Sequence, residues 1–201
     1  GWSGFAVSGN ADWTAEVRTS DSEGSRFLVR HRGGKSLDVR GPFWGAAALR
    51  NVLATIAVAD YLDLSADEIQ TALASFEGVK RRFEIVGEER GVTVVDDFAH
   101  HPTAVRETLS GARLRFADRK IWAVFEPRSF TTRSNVFQKE LADALRLADA
   151  IIVSEVFRSA RLPKEQELSE EELIADLRAG AADAHFEAGA DPIVGHLSRA
   201  C

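Results

Sequence analysis

Several residue types and patterns are scarce in this sequence, and their absence excludes whole classes of protein. The 201 residues contain no methionine and a single cysteine, Cys201, so a disulfide framework within one chain is excluded. This composition fits a protein of the reducing cytoplasm. No run approaches about 18 apolar residues, so we expect no transmembrane helix and no membrane partner. No basic segment followed by an apolar one opens the chain, as it would in a signal peptide.

An excess of basic charge is also missing. Lysine and arginine number 25 against 31 aspartates and glutamates, which gives a formal net charge of −6. A dedicated nucleic-acid binder carries a basic patch, so we expect no nucleic-acid partner. The apolar content of 45% is sufficient for a core. The length fits one large domain or two small ones.

The chain divides into two parts with different patterns. The first forty residues contain short β-favouring segments, and the pair Gly33-Gly34 predicts a β-hairpin. Two helices follow, of which the second begins with a capping box formed by Ser65 and Glu68 and is expected to end at Gly78. We therefore predict one domain over residues 1–78 and another over residues 79–201.

From residue 82 onward, apolar strands alternate with amphipathic helices. The segments Ile121–Phe125 and Ala150–Val153 are continuous apolar runs, which are typical of strands buried on both faces of a sheet. The last helix is expected to begin at Asp191, with Pro192 in its first position. This alternation predicts an α/β fold with a parallel sheet and helices on both faces.

The stretch VVDDFAHHP carries the densest group of polar side chains. Asp96 and Asp97 end a predicted buried strand, and His100 and His101 precede a helix that begins at Pro102. Ligands of open α/β sheets bind beyond the carboxyl ends of strands, and helix N-termini favour anions. The residues fit three interpretations: caps of the turn and helix, a ligand contact, or a divalent metal site. Adjacent histidines cannot easily both point at one ion, so we predict no metal site.

A second polar stretch, EPRSFTTR, follows the next apolar strand. It places two arginines, two threonines and a serine at the carboxyl end of that strand. Arginine pairs well with carboxylates and phosphates, so the stretch indicates either an anionic ligand or a solvated loop.

The segment GGKS at residues 33–36 resembles the end of a phosphate-binding loop. The full pattern requires a glycine where Val29 stands, and the segment precedes a strand and not a helix. It therefore predicts a hairpin turn with an exposed Lys35 and not a nucleotide site.

In combination, the motifs RNVLATIAVA, FEGVKRRFE, VVDDFAHHPTAV and EPRSFTTR resemble the Mur ligase family, the ATP-dependent amide-forming enzymes of bacterial cell-wall synthesis. The resemblance implies a Rossmann-like C-terminal Mur ligase domain with a mostly parallel sheet, preceded by the tail of the central ATPase domain. It also implies a cytoplasmic enzyme that uses ATP and Mg²⁺. The main ATP and Mg²⁺ sites of the family lie upstream of this chain. The elements HHP and EPRS argue against a folylpolyglutamate synthase.

The same resemblance implies that the chain is a fragment. The missing initial methionine agrees with this, and the last part of the C-terminal domain is expected to be truncated after Arg199. The N-terminal and central domains would then be the missing partners. We expect the fragment alone to be inactive.

The resemblance also assigns roles to particular residues. It places Asn51, Arg82 and Asp97 at the nucleotide, and it makes His100 the catalytic residue near the reacting groups. Four residues are expected to bind the incoming amino component: Arg128, Ser129, Thr131 and Arg133.

Within the family, the chain looks most like the branch that joins a murein tripeptide to UDP-N-acetylmuramate in peptidoglycan recycling. Arg128, Phe98 and Phe130 favour this branch, because the L-alanine branch typically has a histidine and two tyrosines there. Two alternatives stay open: a fragment of an L-alanine ligase, and a non-catalytic module that binds a nucleotide or a peptide. The second is suggested by Ala47 and Ala48, which replace a histidine and an asparagine of the family's adenine-contacting element.

Overall fold

A computed structural model describes residues 4–7, 9–156 and 163–200, which form two compact units. The first unit contains the described residues up to Gly78 together with Ser110–Ala117. The second contains Val79–Leu109 and the described residues from Asp118 onward. Cys201, which the sequence analysis left without a disulfide partner, lies outside the described residues. No helix in the described ranges has the length and apolar content needed to cross a membrane.

The first unit is built on a four-stranded sheet with the strand order β1-β2-β3-β4. The first two strands are parallel and the other neighbours are antiparallel. The strands are β1 (Phe5–Ala6), β2 (Trp13–Asp21), β3 (Gly24–His31) and β4 (Ser36–Gly41).

The predicted hairpin between β3 and β4 is confirmed. The N–H of Gly34 donates to the carbonyl of His31 at 2.9 Å, and Gly34 adopts a φ of +92°, which suits glycine. Lys35 Nζ lies 2.5 Å from Asp60 Oδ1. The GGKS segment is therefore a turn whose lysine is paired with a carboxylate.

Two helices pack on this sheet, α1 (Gly45–Tyr61) and α2 (Ala66–Ala74). The capping box is confirmed, because Ser65 Oγ accepts the N–H of Glu68 at 3.3 Å and Glu68 Oε2 accepts the N–H of Ser65 at 2.8 Å. The prediction that α2 continues to Gly78 is wrong. The helix ends at Ala74, and the hydroxyl of Ser75 donates to the carbonyl of Ala72 at 3.2 Å, a local bond that competes with helix continuation.

The second unit begins with an antiparallel ribbon of β5 (Glu84–Glu89) and β6 (Val92–Asp96). The prediction that β6 is a buried strand is wrong, because Val94 is 54% exposed. Arg90 and Gly91 form a two-residue turn with φ values of 51° and 80°. Such a turn joins antiparallel strands, whereas a parallel connection needs a crossover of a dozen or more residues.

A parallel sheet with the order β7-β8-β9 forms the rest of this unit, so the predicted α/β fold is confirmed. Ala123 and Ile151 lie on one face, in a core shared with the helices that precede and connect the strands. On the other face, Trp122 contacts His196 of the last helix. The elements are α3 (Pro102–Arg115), β7 (Trp122–Phe125), α4 (Phe130–Arg133), α5 (Gln138–Leu145), β8 (Ala150–Ser154), α6 (Glu170–Ala179), β9 (Asp183–Glu187) and α7 (Ala190–Ala200).

The structure differs from the predicted α/β pattern in two details. The strand β8 is buried along its whole length, as predicted, but Val124 of β7 is 48% exposed. The reason is that β8 has a strand on each side, whereas β7 has one strand neighbour among the described residues. Helix α7 begins at Ala190 and not at Asp191, after Gly189 with a φ of +88°.

Candidate functional site

The carboxyl ends of the parallel strands meet at one edge of the sheet, where a cavity of about 650 Å³ opens. Two carboxylates line it, Glu126 after β7 and Glu155 after β8. The other lining residues are small or apolar: Val124, Ser154, Val156, Gly189, Ala190 and Ile193. Carboxylates beside an apolar wall can receive a ligand that has an amino group and a short apolar part.

Glu126 and Glu155 were not among the site residues predicted from the sequence. Each directly follows an apolar strand, which is the same signal that drew attention to Asp97. The two glutamates come from different strands, so only the sheet brings them to one cavity.

The loop after β7 carries the four predicted substrate residues, and α4 organises it. Ser129 caps this helix: its Oγ accepts the N–H of Thr132 at 3.1 Å, and Thr132 Oγ1 accepts the N–H of Ser129 at 3.1 Å. Thr131 and Arg133 are half-buried in the same helix. Arg128 is exposed, with Nη1 3.8 Å from Glu126 Oε2. The loop therefore places a guanidinium next to a carboxylate that lines the cavity.

The carboxylate of Asp97 holds together two backbone segments. Its Oδ2 accepts the N–H of Phe83 at 2.8 Å, and its Oδ1 accepts the N–H of Ala99 at 2.7 Å. Phe83 has a φ of +53°, a left-handed conformation that is uncommon for a residue other than glycine. Each carboxylate oxygen can accept a second hydrogen bond, so Asp97 keeps the capacity to bind a ligand hydroxyl.

The same turn contains the predicted nucleotide residue Arg82. Its N–H donates to the carbonyl of Val79 at 3.1 Å, and its side chain is exposed. The carbonyl of Arg81, next to it, accepts the N–H of Phe98 at 2.9 Å. Arg82 and Asp97 thus belong to one hydrogen-bonded turn.

The two adjacent histidines make different contacts. His100 is exposed, and its Nδ1 lies 2.9 Å from the carbonyl of Phe98. A carbonyl accepts only, so Nδ1 carries the hydrogen and Nε2 of the neutral ring is an acceptor. The Nδ1 of His101 instead accepts the N–H of Thr103 at 3.3 Å, and its ring packs on Phe137. Within the described ranges, no three His, Cys, Asp or Glu side chains form a group that could hold a metal ion.

Asn51 is the one predicted site residue that belongs to the first unit. It lies exposed on α1, and its carbonyl accepts the hydroxyl of Thr55 at 3.0 Å. Ala47 and Ala48 precede it on the same helix and are half-buried. The other seven predicted residues lie in the second unit.

Residues 81–199 match the family described as Mur ligase, glutamate ligase domain. The chain belongs to the Mur ligase family. The match covers most of the second unit, with its ribbon, parallel sheet and strand-end cavity. The fold expected from the motifs, that of the Mur ligase C-terminal domain, is therefore confirmed.

Curated relatives of this Mur ligase chain include two UDP-N-acetylmuramate–L-alanine ligases. The protein of Gloeobacter violaceus is 36% identical over 187 residues, which are 93% of this chain and 40% of that protein. The protein of Desulfitobacterium hafniense is 37% identical over 161 residues, which are 78% of this chain and 35% of that protein. The chain thus spans about 40% of the length of such relatives.

Two solved structures show the same similarity. A UDP-N-acetylmuramate–alanine ligase from Thermotoga maritima is 28% identical with a TM-score of 0.76, and the similarity covers 92% of this chain and 39% of that one. A murein peptide ligase from Psychrobacter arcticus is 32% identical with a TM-score of 0.61, and here the coverage is 96% and 39%.

These relatives correct the ranking of the two branches. They support the L-alanine branch, which was the alternative interpretation, better than the tripeptide branch. Arg128, Phe98 and Phe130 had favoured the tripeptide branch. Three positions carry less information than a similarity over nearly the whole chain.

Proposed function

We propose that this chain is part of an ATP-dependent ligase that joins an amino acid to the carboxyl group of UDP-N-acetylmuramate in peptidoglycan synthesis. The observation that carries the proposal is the family match over residues 81–199. L-alanine is the favoured amino component, because the similar curated relatives are L-alanine ligases. A murein tripeptide is the second candidate, supported by the murein peptide ligase at 32% identity.

In this proposal, residues 1–78 are the tail of the central ATP-binding domain and residues 79–201 are the C-terminal domain. The N-terminal and central domains are partners outside this chain, and the enzyme works in the cytoplasm. ATP and Mg²⁺ are bound mainly by those other parts. The described residues offer no group of three His, Cys, Asp or Glu side chains that could hold Mg²⁺.

The proposed reaction has two steps. The carboxylate of UDP-N-acetylmuramate attacks the γ-phosphorus of ATP, which gives an acyl phosphate and ADP. The amine of the amino component then attacks the acyl carbon, the amide bond forms and phosphate leaves. Such transfers depend on positioning and on neutralisation of charge.

The residues of this chain would act mainly on the amino component. The guanidinium of Arg128 is suited to its carboxylate, with hydroxyls of Ser129 and Thr131 and the guanidinium of Arg133 in the same loop. Glu126 and Glu155 are suited to its ammonium group. The amine must lose a proton before it attacks, and the acceptor Nε2 of His100 is the group that we assign to receive it.

Three further residues are proposed to bind the nucleotide. Asp97 retains acceptor capacity for a ribose hydroxyl. Arg82 offers an exposed guanidinium for the phosphates, and Asn51 offers an exposed amide for the adenine.

The test uses the complete protein that contains this chain and, in parallel, the chain alone. ADP formation and the mass of the product are measured with ATP, Mg²⁺ and UDP-N-acetylmuramate, with either L-alanine or the tripeptide added. We expect ligation by the complete protein with L-alanine and none by the chain alone. Ligation of the tripeptide in preference to L-alanine would reverse the choice of branch. Failure of the complete protein with both would refute the ligase proposal.

A non-catalytic binding module is the rival function, and the observation that favours it is the presence of Ala47 and Ala48 in the adenine element. Calorimetry with ADP measures nucleotide binding by the complete protein, and the ligation assay measures its turnover. Together they distinguish the binding module from the ligase. Nucleotide binding without turnover supports the module, whereas binding with amino-acid-dependent turnover supports the ligase.

A further inference from the structure

Two segments of the second unit are joined side by side, and the proposed chemistry does not use this connection. Residues 133–138 run from the last predicted substrate residue, Arg133, into α5, and residues 165–169 precede α6. The N–H of Leu168 donates to the carbonyl of Arg133 at 2.7 Å. Leu168 is 3% exposed and belongs to the core of the unit, so the end of α4 is tied to the core.

Two more links run between the same segments. Ser134 and Glu167 form an antiparallel bridge. Asn135 Nδ2 donates to the carbonyl of Glu165 at 2.9 Å. The position of α4 therefore depends on the position of residues 165–169.

Gln138 is the buried polar side chain that connects this arrangement to α6. It is 8% exposed at the start of α5. Its Oε1 accepts the N–H of Ser169 at 3.1 Å, and its Nε2 donates to Glu172 Oε2 at 3.4 Å. Burial of an amide is costly unless both ends are hydrogen-bonded. Leu141 and Ala142 in the same helix are apolar and buried, so an amide at position 138 needs a specific reason.

We propose that Gln138 is a positioning residue for the loop Arg128–Arg133. By holding Ser169 and Glu172, it fixes residues 165–169, which in turn hold the carbonyl of Arg133. The inference rests on the proposed function, in which this loop receives the amino component. Gln138 does not touch the substrate itself.

The first test measures steady-state kinetics of the complete protein with Gln138→Ala. We expect the KM for the amino component to rise at least about fivefold, because a displaced arginine loop loses its alignment. The KM for ATP should stay within about twofold of wild type, because a local displacement leaves nucleotide binding unchanged. Glu171→Gln is the control, since it changes an exposed side chain of α6, the helix that carries Glu172.

A charge exchange gives a second variant that separates positioning from a general loss of stability. Gln138→Glu alone places a carboxylate next to Glu172 and should also raise the KM for the amino component. In the double variant Gln138→Glu with Glu172→Gln, the new amide at position 172 can donate to the new carboxylate at position 138. The other oxygen of that carboxylate can still accept the N–H of Ser169. Its KM should return to within about twofold of wild type. An unchanged KM in Gln138→Ala, or no recovery in the double variant, would overturn the inference.

Amide hydrogen exchange tests the positioning role of Gln138 even if the ligase proposal fails. In the 201-residue chain, Gln138→Ala should accelerate exchange of the Leu168 amide at least about tenfold, because its segment loses one of its anchors. If wild type shows no ligation but this acceleration occurs, the function fails and the positioning role stands. Unchanged exchange at Leu168 overturns the positioning role whatever the activity.

Discussion

Replacing Asp97 by asparagine should loosen the turn that precedes β5 while the parallel sheet stays folded. Both carboxylate oxygens accept backbone N–H groups, from Phe83 at 2.8 Å and from Ala99 at 2.7 Å. An asparagine keeps one acceptor and turns an NH₂ donor towards the other N–H. A hydrogen bond to a charged group contributes about 1.5–3 kcal/mol, and Asp97 is half-buried, so we expect a loss of about 2 kcal/mol.

The assay is amide hydrogen exchange of Phe83 and Ala99, measured by NMR in the 201-residue chain. A loss of about 2 kcal/mol corresponds to roughly 30-fold faster exchange through local opening, since about 1.4 kcal/mol is a factor of ten. The matched control is Asp96→Asn. Asp96 Oδ2 lies 3.4 Å from Arg81 Nε in an ion pair whose side chains are 45% and 62% exposed, so this change should alter exchange by less than about threefold. Equal exchange in the two variants would refute the reasoning.

Two other predictions concern a helix cap and the substrate loop. Hydrogen bonds from the side chain and backbone of Ser65 lower the pKa of Glu68 below its ordinary value. The stability from this cap is therefore present above about pH 4.3 and is lost as the pH falls through the lowered pKa. Ser65→Ala should raise the pKa of Glu68, and an unchanged NMR titration midpoint would contradict this. Arg128→Ala in the complete protein should raise the KM for the amino component about tenfold or more. Arg90→Ala, in the exposed β5–β6 turn, is its control, and equal effects of the two would remove Arg128 from the site.

Local signals in the sequence predicted those features whose cause is also local. The capping box at Ser65 and the hairpin at Gly34 depend on hydrogen bonds and backbone angles within a few residues. The apolar run of β8 was also interpreted correctly, because a strand that is apolar on both faces is most stable inside a sheet. The predicted end of α2 was wrong because the apolar pattern continues past Ser75, whereas the helical backbone ends at Ala74.

The exposure of a strand depends on which strands lie beside it, and the sequence of the strand alone does not specify them. Val124 and Ile152 both belong to apolar runs, yet one is 48% exposed and the other 0%. They differ because β8 lies between two strands and β7 has one strand neighbour among the described residues. The burial of β6 was misjudged for the same reason, since β6 pairs only with β5 among the described residues and Val94 is 54% exposed.

The sequence by itself determined the α/β fold of the second part and the polar stretch around Arg128. It did so because strand and helix periodicity and strand-end chemistry are written in consecutive residues. Only the tertiary structure brought Glu126 and Glu155 to one cavity, and only it joined Gln138 to Ser169. These pairs are distant in the chain, and the parallel order of the strands and the packing of their connecting helices decide which of them meet.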